Sequence, residues 1–203
     1  MRNLKRIKST GYLLLVLIVF MMIIAACHFG SKKELSEQEK REYIKKGNII
    51  AKESFKALSG ELKAAMQRGG VAEAIQYCNL KANPITDSLS TVYNASVKRT
   101  SLKLRNSDNE ANAIEGKLLG IYQKQFKNGD TLKPKITDIG EDKILFTAPI
   151  FIQPLCLNCH GFPGEQILDS NFHLIKQFYP YDKAIGYKTG DLRGMWSIEF
   201  EKQ

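Results

Sequence analysis

Cys156, Cys159 and His160 lie within the five-residue run Cys156-Leu157-Asn158-Cys159-His160, the spacing that attaches a c-type haem. Two thiols three positions apart reach the two vinyl groups on one porphyrin edge as thioethers, and the adjacent imidazole turns under the ring to bind iron. Three other uses of these residues fit less well. A redox C-x-x-C is expected to open a helix after a strand, whereas this run follows Pro154 and precedes Gly161-Phe162-Pro163, which reads as a loop. A structural zinc site needs a second pair of ligands, and Cys78 and His173 stand apart. A chance match in a chain of this length is on the order of one in a thousand. The expectation is one haem c, covalently held through Cys156 and Cys159, with His160 on the iron.

The second axial ligand decides whether the iron is closed or can open. The sequence offers His173, Met195, Met66 and Cys78. His173 points away from the apolar stripe Ile167, Leu168, Phe172, Leu174, Ile175 and Phe178 of an expected helix, which makes it a surface residue. Met195 falls on the strand face opposite Trp196, Ile198 and Phe200. Met66 reads more simply as a helix core residue. Cys78 lies on an apolar helix face, where a cysteine ordinarily packs as a small hydrophobe.

The front of the chain has the order of a secretory signal: Arg2, Lys5, Arg6 and Lys8, an apolar run from Tyr12 to Ile24, then small residues. About 15 apolar residues is short of the roughly 20 that a spanning helix needs. The run ends Ile24-Ala25-Ala26-Cys27, which looks like a bacterial lipobox. Residues 1–26 would then be a removed signal, Cys27 a lipid-bearing first residue, 27–33 a polar tether and 34–203 the domain, so membrane lipid becomes a partner through Cys27. Such a chain is extracytoplasmic, on the periplasmic side of a bacterial membrane or on the cell surface, which is also where c-type haem is attached.

Composition is that of an ordinary globular chain, 203 residues with 43% hydrophobic and 25% charged, which excludes disordered, collagen-like and multi-span classes. The formal charge of +9 raises nucleic acid as a partner. Four of the thirty basic residues and none of the twenty-one acidic ones lie in the first 26, so the mature charge is +5. The remaining Lys and Arg alternate with acids, without a nucleic-acid motif, so no nucleic-acid partner is expected.

Helical spacing runs from Glu34 to about Met66, through Ile44, Ile50, Ala51, Phe55, Leu58, Leu62 and Ala65, and stops at Gly69-Gly70. A second helix from Val71 carries Ala74, Ile75 and Cys78 on one stripe and is expected to end at Asn83-Pro84. Val97 to Leu104 reads as a strand, Asn109 to Phe126 as a helix with Ile114, Leu118, Ile121, Tyr122 and Gln125 in register. Lys135 to Ile139 and Lys143 to Ile152 read as a hairpin across Gly140-Glu141-Asp142, Gly164 to Tyr179 as a helix, and Gly194 to Phe200 as a strand with Trp196, Ile198 and Phe200 inward. Helices followed by an antiparallel sheet with helical insertions make an α+β domain.

Ala74-Ile75 through Cys78, Arg99-Thr100-Ser101, Leu104-Arg105-Asn106, Pro149, the haem motif, the block Tyr179-Pro180-Tyr181-Asp182-Lys183-Ala184-Ile185-Gly186-Tyr187 and Gly190-Asp191-Leu192-Arg193-Gly194 together resemble one family. It is the domain-of-unknown-function family of PAS-like c-type haem proteins, found as free-standing cytochromes and as extracytoplasmic sensor domains. One departure is local: the family has proline and an aromatic residue shortly after its Arg-Asn pair, where this chain reads Ser107-Asp108-Asn109-Glu110-Ala111. The resemblance implies a PAS-like antiparallel sheet with long N-terminal helices, and it implies that Cys78 is the distal iron ligand. A thiolate there lowers the reduction potential, because it stabilises ferric over ferrous iron, and its loss on reduction would open the site. By charge and motif position alone, Arg99, Arg105 and Arg193 are candidates to face haem propionates or the thiolate, with ordinary surface arginines the equal alternative. The expected role is sensing of redox state or a diatomic gas, with single-haem electron transfer as the alternative, and not catalysis. A sensor ending at Gln203 would need a signalling or redox partner.

Overall fold

The computed structural model describes residues 34–202; the expected signal, lipobox and tether, with Cys27, lie outside the described residues. The long helix α1 (Glu37–Tyr93) is followed by β1 (Ser96–Thr100), α2 (Ala113–Lys127), β2 (Lys135–Gly140), β3 (Lys143–Phe151), the single turn α3 (Leu157–His160), α4 (Asp169–Phe178) and β4 (Leu192–Glu201). The four strands form one antiparallel sheet in the order β1-β4-β3-β2. This is the expected α+β domain, with a PAS-like sheet and long N-terminal helices.

Helix α1 is two helices in one run. Gly69 (φ −150°, ψ 24°) and Gly70 (φ 70°, ψ −159°) leave helical geometry, and the left-handed φ of Gly70 is one that only glycine adopts cheaply. The chain doubles back there: Tyr77 Oη donates to Glu61 at 2.7 Å, and the Arg68 guanidinium lies 5.5 Å from the Tyr77 ring centroid. The expected stop at Asn83-Pro84 is overturned, since the helix continues to Tyr93 with Pro84 inside. The proline ring is exposed, and the helix bond it removes is the one to the carbonyl of Leu80, itself an exposed residue; the Thr86 hydroxyl donates to the Ala82 and Asn83 carbonyls beside it.

Both faces of the sheet are covered, which corrects the reading of β4 as a one-sided strand. Trp196, Ile198 and Phe200 share a face with Ala148, Phe146 and Ile144, their cross-strand partners. The first half of α1 covers this face, with Tyr43 5.5 Å from Phe200 and Gly47 over Phe146. Met195 and Leu145 pack on the other face against Leu118, Leu119 and Tyr122 of α2. The Tyr122 hydroxyl donates to the Lys133 or Thr147 carbonyl, at 3.0 and 3.1 Å.

Element ends move for local reasons. Helix α2 starts four residues late because Asn112 caps it in a reciprocal box with Glu115. Ile114 and Ile121 are half-exposed, and the buried stripe is Glu115, Leu118, Leu119 and Tyr122. Strand β1 ends at Thr100 because the Ser101 hydroxyl donates to the Arg193 carbonyl and accepts from the Lys103 amide. Helix α4 starts only at Asp169, after a turn at Gly164 (φ 79°), which leaves Leu168 exposed and Phe178 partly so. The β2–β3 hairpin forms as expected, with Glu141 and Asp142 both at positive φ, as a tight two-residue turn requires.

Gly47 and Gly60 make opposite predictions. A Cβ at Gly47 would clash with the Phe146 ring, whereas one at Gly60 meets nothing within 4 Å. Gly47→Ala should destabilise by about 1–3 kcal/mol through overpacking. Gly60→Ala should stabilise by about 0.5–1 kcal/mol, the ordinary helical gain. Urea midpoints of the two variants check both signs.

Candidate haem cleft

A cleft of about 290 Å³ lies between α1, the ends of β1, β3 and β4, and the Cys156–His160 segment. Cys78, Cys156, Cys159 and His160 all line it, so residues far apart in the sequence converge as expected. Phe55, Leu62, Ile75 and Trp196 supply apolar walls, and no carboxylate is among the described residues that line it. The cleft is thus apolar with a few convergent polar groups, the usual character of a cofactor site.

The motif is helical where a loop was expected. Pro154 opens a 3₁₀ turn through Cys156, and Leu157–His160 continues as one α-helical turn, since proline is preorganised for a first helical position. Residues three and four apart share a helix face, so Cys156, Cys159 and His160 face one way. Two backbone bonds hold the end of this turn: Tyr187 N–H donates to the His160 carbonyl at 3.0 Å and Gly186 N–H to the Gly161 carbonyl at 2.8 Å.

His160 Nδ1 lies 2.6 Å from the Ala184 carbonyl. A carbonyl only accepts, so Nδ1 carries the proton and Nε2 keeps its lone pair, which is the tautomer a metal-binding imidazole needs. Burial, then the neighbouring Arg105 and Arg193 charges, pushes the imidazole well below its ordinary pKa, so it stays neutral. Burial likewise pushes the Cys159 thiol up to about 11, which removes the thiolate that disulfide exchange requires. Cys78, half-buried, is also pushed up by burial, while Arg99 and Arg105 oppose this.

Arg105 is no surface residue. It forms a buried ion pair with Asp182 at 3.1 Å, and its Nε donates to the other carboxylate oxygen at 3.2 Å. Its Nη2 also donates to the Cys159 carbonyl at 2.6 Å and the Ala184 carbonyl at 3.3 Å. Asp182 Oδ1 accepts from the Ala184 amide at 2.8 Å. The pair therefore fixes both the motif helix and the carbonyl that orients His160. Sequence reading assigned no role to Asp182 or Ala184, although both sit in the Tyr179–Tyr187 block.

The other candidate ligands separate cleanly. His173 is exposed, as expected, with Nδ1 2.8 Å from the Asp169 carbonyl. Met195 is fully buried against α2, on the face away from Trp196 and the cleft. Met66 lines the cleft, which corrects its reading as plain helix core. Tyr179, unassigned from sequence, lines it too.

Removing the Asp182 charge should leave the Arg105 guanidinium buried and uncompensated. Asp182→Asn is expected to cost about 3 kcal/mol or more, as for broken buried pairs generally, read as a drop in urea midpoint.

Comparison with known proteins agrees with this geometry. No curated protein matches the chain. The solved structure of the cyanobacterial heme-protein Tll0287 is 20% identical, covering 77% of this chain and 94% of that one with a TM-score of 0.55; at that identity the likeness is one of fold. The family model for Tll0287-like proteins matches residues 26–200, which takes in α1, every strand and all the groups that meet in the cleft, and the chain therefore belongs to the Tll0287-like family.

Proposed function

We propose that this chain is a haem protein holding one haem c, attached through Cys156 and Cys159, with His160 and Cys78 as axial ligands, and that it senses redox state or a diatomic gas. The observation that carries the reading is the convergence of all three motif residues and Cys78 on one cleft, with His160 already in the ligating tautomer. Family membership and the heme-protein of like fold support haem binding. Cys78 is preferred over Met66 because the family resemblance places the distal ligand there, and because Arg99 and Arg105 oppose the rise that burial gives its thiol. When bound, the haem supplies one-electron redox chemistry and an exchangeable coordination position.

Around that group the chain's own residues divide the work. Arg105, Asp182 and Ala184 hold His160 in one orientation. Cys78 has no comparable bracing, since it stands on the 71–93 half of α1, joined to the first half through Gly69-Gly70. A site with one braced and one releasable ligand suits a sensor better than a carrier, in which both ligands should hold through the redox cycle. The reading assigns the cleft no catalysis.

The domain would be displayed outside the cytoplasmic membrane on a lipid at Cys27, after removal of residues 1–26, where it would meet a signalling or redox partner. No described helix is long and apolar enough to cross a membrane.

Two measurements test the reading. Pyridine haemochrome spectra of the purified protein should show a two-thioether c-type band that survives denaturation, and haem released on denaturation would overturn covalent attachment. Cys78→Ser should change the ferric spin state and charge-transfer region; an unchanged spectrum would exclude Cys78, and a ferrous form that refuses carbon monoxide would favour electron transfer. Separately, Cys27→Ala should block both lipid attachment and removal of residues 1–26, read as loss of fatty-acid labelling and a longer chain on a denaturing gel.

A further inference from the structure

Arg99 and Arg193 both line the cleft beside Arg105, but only Arg105 has a carboxylate partner among the described residues. Arg99 reaches the face of Trp196, its guanidinium 6.0 Å from the ring centroid, and its Nε is buried without a hydrogen-bond partner. Arg193 donates from Nη1 to the Lys103 carbonyl at 3.0 Å, and lies 5.6 Å from the Tyr187 ring centroid. Lys103 Nζ shares that ring at 4.4 Å and donates to the Ile185 carbonyl. Arg193 and Lys103 also line a second cavity of about 260 Å³ that shares Ser101 and Gly194 with the cleft, and Asp191 stands in its wall. The Asp191 carboxylate accepts from the Lys188 amide at 2.7 Å and makes no ion pair with either cation.

Buried cations are expensive unless an anion meets them. Burial pushes both guanidinium pKa values down, and the Arg193 charge lowers that of Arg99 further; Cys78 beside Arg99, and Tyr187 and Asp182 beside Arg193, offset this only in part. The acidic groups whose charge acts on Arg99 are the Cys78 thiol, which the proposed function gives to the iron, and the Tyr179 phenol; neither is a carboxylate. Planar guanidinium forks match carboxylates in pairs of parallel hydrogen bonds.

We propose that Arg99 and Arg193 form a carboxylate-binding pair at the junction of the two cavities, with Lys103 adding charge on the Arg193 side. Two sources share that chemistry: the propionates of a bound haem, which rests on the function proposed above, and a free carboxylate entering by the second cavity, which does not.

The full chain, haem-loaded, is compared with Arg99→Gln, Arg193→Gln and the charge-conserving Arg99→Lys, each checked for folding by circular dichroism. Resonance Raman should show the propionate bending bands displaced in both glutamine variants and partly restored in Arg99→Lys, which would support the pair with haem as the source. In parallel, acetate is titrated into Cys156→Ser/Cys159→Ser protein, which carries no thioether. Saturable binding, weakened about tenfold or more by either glutamine change, with unmoved propionate bands, would support the pair with a free carboxylate as its ligand. If neither arm responds, or if Arg99→Gln moves only the sulfur-to-iron charge-transfer region, the pair is overturned. A wild-type protein that carries no haem would instead defeat the proposed function, and the acetate arm would still decide this inference.

Discussion

The Ala184 carbonyl is the constraint on which the rest of the site depends. It accepts from His160 Nδ1 and from Arg105 Nη2, so one oxygen fixes the tautomer of the imidazole and ties it to the only arginine of the cleft with a carboxylate partner among the described residues. Asp182 closes the ring by holding both Arg105 and the Ala184 amide. A lysine could not replace Arg105, because the fork must reach a carboxylate and two backbone carbonyls at once. Such a pair adds little net stability over an apolar replacement, but it specifies one geometry.

That geometry needs a rigid platform, and the sheet provides it by having no solvent face. In β4 the alternation of residues separates two environments: Met195 goes to the α2 core, while Trp196 goes to α1 and the cleft wall. A strand with both faces buried has a strongly fixed register, since a one-residue slip would exchange Trp196 for Met195. The position of Arg193 at the start of the same strand is fixed with it.

The parts of this arrangement legible in the sequence are those set by short spacing. Cys156, Cys159 and His160 need only one helical turn, Cys78 lies on a stripe of period 3.6, and Gly69-Gly70 acts through its immediate neighbours. The pairing of Arg105 with Asp182 spans 77 positions, and no periodicity announces it. Met195 lies on the face that alternation assigns it, opposite Trp196, but alternation does not reveal that a second helix covers that face. Pro84 misled because the helix there gives up only the bond to the carbonyl of exposed Leu80, a loss that local propensity overstates. Met66 was hidden because a helix bent at glycine turns part of its apolar stripe toward a cofactor space instead of the sheet.

The two sides of the cleft differ in how firmly they are determined, and this bears on the proposed sensing. His160 is held through Ala184, its backbone through Tyr187, and its helix through the Cys159 carbonyl; displacing it requires breaking several bonds together. Cys78 belongs to a helix segment whose link to the preceding one is Gly70 in a left-handed conformation, with no ladder hydrogen bonds to the sheet. If iron is held here as proposed, a change in its ligation would be absorbed on the less braced side. That side is α1, whose first half covers Phe146 and Phe200 of the sheet and whose second half carries the sulfur. Under the proposed ligation, a change at Cys78 would pass to the first half of α1 through Gly69-Gly70, while the His160 side is held by its several hydrogen bonds.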